Sequence, residues 1–240
     1  MDADRLERVA RTLAAPDGAR VERLLDLCVE LLDVSGASVA VIRDGQHLGS
    51  FATTSSSMAA VDDLQFSLGE GPCIAADRAQ GAILEPDLVE AAGAWPAFAA
   101  AALAQGIAAV FAFPLNVGPV RLGVLSLYRA EPGDLTTADL ADAVALARIT
   151  THLLLELEGD LPPGSLPAHL ADIVDHRANV HQATGMVAAQ LDADVGVALA
   201  RLRAHAWSRD RPLGAVADDV VARRLWFGDE DGSDSLPAVP

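Results

Sequence analysis

The chain has 240 residues, 51% of them apolar, 21% charged and 4% aromatic. Such a length gives one or two domains, and the apolar share can build a sizeable core, which argues against wholesale disorder. Net charge is −17, from 17 arginines, no lysine and 34 acids. That balance excludes indiscriminate binding to nucleic acid or anionic membrane, because each phosphate contact needs a cation, so any such binding requires a local patch. Two cysteines, Cys28 and Cys73, exclude a disulfide framework and a cysteine-rich zinc site. No stretch reaches the roughly 18 apolar residues of a membrane span, and Met1–Arg11 lacks the apolar core of a signal peptide. A soluble, cytoplasmic protein with no membrane partner is expected.

The charge is unevenly spread. Residues 1–165 carry 10 arginines against 23 acids, residues 166–228 seven against seven, and residues 229–240 only four acids. The change falls at Gly159-Asp160-Leu161-Pro162-Pro163-Gly164-Ser165, the strongest cluster of chain breakers. The expected division is a lead-in over 1–19, a first domain over 20–158, a linker over 159–165, a second domain over 166–228 and an acidic disordered tail over 229–240.

In chain order, Val21–Asp33 places Val21, Leu24, Leu25, Leu27, Cys28, Leu31 and Leu32 at helical spacing. Ser38–Arg43 and Leu48–Thr54 read as strands around the turn Arg43-Asp44-Gly45-Gln46. Pro96–Gln105 reads as a helix of small residues stopped by Gly106. Val110–Val117 and Val120–Tyr128 are apolar strands joined through Gly118-Pro119. Thr136 and Asp139 have capping-box spacing and open a long helix. This mixture predicts an α+β domain with an antiparallel sheet flanked by helices.

The second block reads as helix throughout. Leu166, Leu170, Ile173, Arg177, Val180, Thr184, Val187 and Leu191 form a heptad-like stripe. Two short following helices cannot cover so long a stripe, so its apolar members Leu166, Leu170, Ile173, Val180, Val187 and Leu191 are expected to form a homodimer seam. Leu140, Val144, Ala147 and Leu154 offer a second surface. Asp192 or Asp194 can cap a second helix running to about Trp207, and Pro212 suits the first turn of a third running to about Trp226. Gly185 inside a helix costs about 1 kcal/mol relative to Ala; a close helix crossing is the expected compensation.

Two resemblances follow from these residues. Leu68-Gly69-Glu70-Gly71-Pro72-Cys73, Asp87-Leu88, Trp95-Pro96-Ala97-Phe98, Gly106, Phe111–Leu115 and Leu122–Tyr128 resemble a GAF domain, of the variety found in actinobacterial two-domain regulators. Gln182-Ala183, Gly185-Met186, Ala198, Leu202-Arg203, Ala206, Arg211, Leu213, Val216-Ala217 and Val220-Val221 resemble an ANTAR domain, an all-α three-helix RNA-binding antitermination module. Thr184 stands where many members carry lysine, and Val197 where many carry an acid. The first resemblance implies a sheet of about six strands with a small-molecule pocket on one face and dimerising helices on the other. Together they imply an RNA-binding transcription antitermination regulator, not an enzyme, whose GAF sensor controls a module that binds paired hairpins in leader transcripts.

The candidate RNA contacts are Arg177, Gln182, Thr184, Arg201, Arg203, Arg209 and Arg211, the last four lying within eleven residues with Asp210 as the one intervening acid. Arginine both neutralises phosphate and stacks on unpaired bases. Candidate pocket residues are Cys73, Trp95, Phe111 and Phe113. Cys73, after Gly71-Pro72 at an expected helix start, is a redox-sensor candidate whose alternative is a buried small side chain. No motif requires a cofactor, and no catalytic or metal motif occurs; His176 and His181, five apart, do not share a helical face. The rival readings are a regulator that binds a ligand or a protein and whose C-terminal bundle does not bind RNA, a DNA-binding helix-turn-helix over 195–224, and an enzyme of the methionine sulfoxide reductase type.

Overall fold

The computed structural model describes residues 3–14, 19–43, 46–159, 168–209 and 211–228, the side chains of 3, 43, 46–48, 158, 159 and 168–177 excepted. It divides into two compact units, with the break between Leu170 and Ala171. Of the expected linker and tail, residues 160–165 and 229–240 lie outside the described residues.

The first unit opens with two helices, α1 (Ala3–Leu13) and α2 (Arg20–Leu31). A hairpin follows, β1 (Gly36–Arg43) and β2 (Gln46–Thr53), then α3 (Ser56–Leu68) and α4 (Pro72–Ala79). The short β3 (Ile83–Glu85) and a 3-10 turn (Glu90–Gly93) lead to α5 (Pro96–Ala104). A second hairpin, β4 (Ala109–Val117) and β5 (Val120–Arg129), precedes α6 (Thr137–Gly159). The described strands form one antiparallel sheet of five, ordered β2-β1-β5-β4-β3, against the six that the resemblance implies. Helix α1 falls in the expected lead-in, where no periodicity announced it; Val9 is buried, and Arg5 and Arg8 pair with Asp142 of α6 and Glu30 of α2.

Strand alternation sorts this unit into two layers. Register places Ser38 opposite Ser126, Ala40 opposite Val124, and Ala112 opposite Ser126, so these share a face. On that face Ala40, Ile42, Ala112 and Val124 pack with Cys73 and Ala76 of α4. Val110 and Tyr128 pack with Met58 and Val61 of α3 and Phe98, Ala99 and Ala102 of α5. The intervening residues Val39, Phe111, Phe113, Leu125 and Leu127 are buried on the opposite face, where α2 lies against β1 and α6 against β4. Thr136 starts α6 as expected: its hydroxyl accepts the Asp139 N–H at 3.1 Å and donates to the Asp139 carboxylate at 2.6 Å.

The second unit's described helices are α7 (Ala168–Leu191), which begins three residues before the break, α8 (Val195–Ser208) and α9 (Leu213–Val221). Asp194 is the cap of α8, accepting the Gly196 N–H at 2.7 Å. Asn179 and Gln190, three turns apart on α7, bond to Asp218 of α9 and to the Phe227 N–H. Their face therefore looks into the bundle and carries buried Val180, Ala183 and Val187. Ala198, Leu202 and Ala206 of α8 and Leu213, Val216, Ala217 and Val220 of α9 are buried likewise.

Three expectations need correction. Helix α9 stops five residues short of Trp226, because Arg223 turns left-handed (φ 57°) while the Arg224 and Leu225 N–H groups close on the Asp219 carbonyl. Leu225 and Phe227 thereby become buried. Val180 and Val187 do not serve a dimer seam, since their own bundle covers them; Leu191 is half-buried. Leu166 lies outside the described residues, as do the side chains of Leu170 and Ile173. Gly185 meets no close crossing: it is exposed, and a Cβ there finds nothing within 4 Å. Gly123 of β5 is the opposite case, since a Cβ would sit 2.1 Å from the Ala40 carbonyl oxygen.

Alanine at these two glycines is therefore expected to act with opposite sign. Gly123→Ala overpacks the sheet and should lower stability by about 1–3 kcal/mol or more. Gly185→Ala should raise it by up to about 1 kcal/mol through helix propensity. Urea unfolding followed by circular dichroism measures both.

Candidate functional site

The inward face of the sheet carries a belt of polar groups between its two apolar clusters. At the centre is Asp62 of α3, fully buried. Its Oδ1 accepts the Tyr128 hydroxyl at 2.6 Å and Gln65 Nε2 at 3.4 Å, and its Oδ2 accepts the Ser50 hydroxyl at 2.9 Å. Ser38 Oγ lies 3.1 Å from Tyr128 Oη. Gln65 turns its Oε1 to the Cys73 N–H at 2.7 Å. Ser126, on the same sheet face as Ser38, has a buried hydroxyl without a hydrogen-bond partner among the described residues. Burial holds the Asp62 carboxyl above the usual carboxylate range despite the opposing hydrogen bonds from Tyr128, Ser50 and Ser38. Burial likewise pushes the Tyr128 phenol well up, and the Asp62 charge adds to it. The belt thus sets a few convergent polar groups between apolar walls.

The segment Leu68–Cys73 builds the rim of this belt. Gly69 ends α3 in the left-handed region (φ 71°). Glu70 Oε1 accepts the N–H groups of both Ala97 and Phe98 at 2.9 Å, capping the start of α5. Gly71 has φ 130° with Gln65 packed against its Cα, and Pro72 opens α4. One carboxylate, two glycines and one proline thus join three helices.

The expected pocket residues do not come together. Cys73 is fully buried in the α4 cluster, and Trp95 is half-buried against the α3–α5 cluster. Phe111 and Phe113 lie on the opposite sheet face, because they alternate with Val110 and Ala112. Sequence reasoning missed Asp62, Gln65, Ser50, Ser38 and Ser126; the legible signal was serine at inward positions of otherwise apolar strands. Cys28 and Cys73 form no disulfide and are buried on opposite sides of the sheet. Burial pushes the Cys28 thiol up to about 12, and solvent does not reach Cys73, so the redox-sensor reading of Cys73 lacks an accessible thiol.

In the second unit, Gln182 of α7 is exposed, while Thr184 is buried and donates its hydroxyl to the Val180 carbonyl at 2.6 Å. Thr184 is thus turned away from solvent, a correction to its expected role, because its position belongs to the bundle face of α7. Arg201, Arg209 and Arg211 are exposed and Arg203 is half-buried. The Arg177 side chain lies outside the described residues. Arg211 Nη2 donates to Asp219 Oδ2 at 2.6 Å, and Arg224 Nε to Asp219 Oδ1 at 2.8 Å. Those two guanidinium groups hold the Asp219 carboxyl below its usual range. Among the described residues, no group of three His, Cys, Asp or Glu could hold a metal ion, and no helix is long and apolar enough to cross a membrane.

The chain thus joins an α+β domain with a buried polar belt to a three-helix bundle with exposed arginines. The family model for the GAF domain matches residues 19–154, and that for the ANTAR domain matches residues 168–221. The chain belongs to the GAF domain family and carries a C-terminal ANTAR domain; it is a regulatory protein with an RNA-binding module. Both domains are regulatory rather than catalytic.

Solved structures agree on the fold of the first unit. The GAF domain of a phosphoenolpyruvate-protein phosphotransferase from Acinetobacter is 13% identical with a TM-score of 0.52, covering 68% of this chain and 99% of that one. Its counterpart from Coxiella burnetii is 18% identical with a TM-score of 0.52, covering 65% and 94%. A free methionine-R-sulfoxide reductase from Neisseria meningitidis, solved with its substrate, is 13% identical with a TM-score of 0.50, covering 65% and 89%. At these identities the likeness is one of fold alone. No curated protein matches this chain.

The raised Asp62 pKa has a defined consequence for stability. The folded state holds this proton more tightly than the unfolded chain, so the contribution is full below about pH 4 and is lost as pH rises through the folded value. Asp62→Asn is expected to flatten that fall, since an amide can still accept from Tyr128 and donate to Ser50 Oγ. Urea midpoints measured from about pH 4 to about pH 8 test this; an unchanged slope counts against it.

Proposed function

We propose that this protein is a cytoplasmic transcription antitermination regulator in which a small molecule held at the GAF polar belt controls binding of the ANTAR bundle to paired hairpins in leader transcripts. The observation that carries this reading is the ANTAR match, which runs through α7, α8 and α9. The exposed arginines of the turn between α8 and α9 support it, because in a chain of net charge −17 affinity for RNA must come from a local cluster. A homodimer would present two bundles to two hairpins. Exposed Val144, at 44%, leaves α6 an apolar position for such a contact.

A second reading has its own support. The bundle carries as many acids as arginines, Asp219 neutralises part of the Arg211 and Arg224 charge, and Thr184 is buried. On that reading the C-terminal unit docks a protein and binds no RNA.

Binding titrations against an RNA of paired hairpins at several salt concentrations separate the two. Replacing Arg201, Arg209 and Arg211 together with Ala is expected to lower affinity and to reduce the salt slope by about 2, at roughly 0.7 per phosphate contact on single-stranded loops. The fold should persist, as exposed substitutions usually cost within about 0.5 kcal/mol. Unchanged affinity and slope in a folded variant would refute the arginine assignment, and absence of binding by the unaltered protein favours the second reading. Light scattering at micromolar concentration tests the dimer.

A further inference from the structure

We propose that Trp207 is the platform on which the ANTAR bundle stacks an unpaired nucleobase, with Arg211 placed beside it for that nucleotide's phosphate. The inference rests on the RNA-binding reading above and names a contact within it.

Trp207 lies in the last turn of α8 and is 58% exposed, against 36% for Trp226. Large aromatic side chains are normally buried over most of their area, so an indole left outside a small bundle needs a reason. Packing supplies none. The buried face of α8 is completed by Ala198, Leu202 and Ala206. Two residues earlier, His205 does find an aromatic partner, meeting Phe227 edge-on at 5.4 Å between ring centroids. The bundle therefore covers one aromatic side chain at this end of α8 and leaves the other in water.

The sequence on either side of the indole is rich in arginine, with Asp210 its one acid. Arg203 lies one helical turn before it, and Arg209 and Arg211 follow it. The Arg211 N–H closes on the Ala206 carbonyl at 2.9 Å, which folds the interhelical turn back onto the residue preceding Trp207. The Arg211 guanidinium is then held on Asp219, a carboxylate shared with Arg224, so two cations meet one anion there. An apolar protein partner would call for apolar neighbours around the tryptophan. An anion with a flat π face, which is what an unpaired nucleotide offers, matches an exposed indole in an arginine-rich segment.

The test uses the full chain and a fluorescently labelled RNA of paired hairpins with randomised loops, beside a blunt duplex RNA without unpaired bases. W207A is expected to weaken hairpin binding roughly 5- to 150-fold, the range for losing one base–aromatic stack. The salt slope should stay as in the parent, because no phosphate contact is removed. W207F should recover most of the affinity, and duplex binding should not respond to either change. In a W95F/W226F protein, Trp207 is the sole indole, and its emission should be quenched by the hairpin RNA with the same midpoint; this arm decides the matter if W207A does not fold. Equal binding by folded W207A, an equal loss on duplex, an altered salt slope, an unquenched Trp207, or a changed oligomeric state in W207A would each overturn the proposal. If the parent binds the RNA and W207A binds it equally, the stacking role alone falls. If the parent binds neither RNA, the RNA-binding reading falls and takes this inference with it.

Discussion

The hydrogen bond from the Tyr128 hydroxyl to the Asp62 carboxylate holds the layers of the first unit in register. It joins the middle of the helical layer to the central strand β5 in an interior from which water is excluded. A buried carboxylate stripped of its donors costs several kcal/mol, so α3 is confined to the position where Tyr128 and Ser50 reach it. From α3 the constraint spreads outward. Gln65, one turn along, fixes the first turn of α4 through the Cys73 N–H, and Glu70, just past the end of α3, fixes the start of α5. Hydrophobic burial supplies most of the driving force through the clusters on either side, but it is non-directional. The polar groups decide where each helix stops and which way it faces.

This explains why Leu68–Cys73 is so dense in unusual residues. Each residue from Gly69 to Cys73 closes a helix, caps a helix or opens one, and the ring of contacts returns to Gln65. On the sheet face that α3 and α4 cover, the Ser126 hydroxyl remains without a protein partner among the described residues. A buried polar atom in that condition costs on the order of 1–3 kcal/mol.

The second unit is organised by a different economy. Its core is built from Val, Ala and Leu on three helices, with Asn179 and Gln190 tying α7 to α9 and to the Phe227 N–H. Asp219 gathers Arg211 and Arg224, which orders guanidinium groups that would otherwise be mobile and leaves the pair with a net positive charge. A bundle neutral in total can therefore still present cations at one end.

Much of the fold was legible residue by residue. Val21–Asp33, the two apolar hairpins, the Thr136 cap and the Asp194 cap follow from periodicity and from side chains short enough to reach their own backbone, so local chemistry decided them. The Leu68–Cys73 and Gln182–Met186 patterns likewise carried the two family resemblances without reference to distant contacts. Other features depended on where the chain folds back upon itself. Nothing local distinguishes Phe111, turned to one side of the sheet, from Val110, turned to the other, until register with β5 is known. The heptad-like stripe of α7 reads the same whether a second copy or its own bundle covers Val180 and Val187. Gly185 and Gly123 are alike in sequence, yet one faces open water and the other a carbonyl oxygen. Asp62 is an ordinary helical acid until Tyr128, 66 residues later, is brought within 2.6 Å of it. The sequence alone settled the kinds of element and the families they resemble, because those rest on spacing along the chain. Which face each side chain serves, and which polar groups meet, only the tertiary structure decided, because burial and hydrogen bonding depend on neighbours that are close in space and remote in sequence.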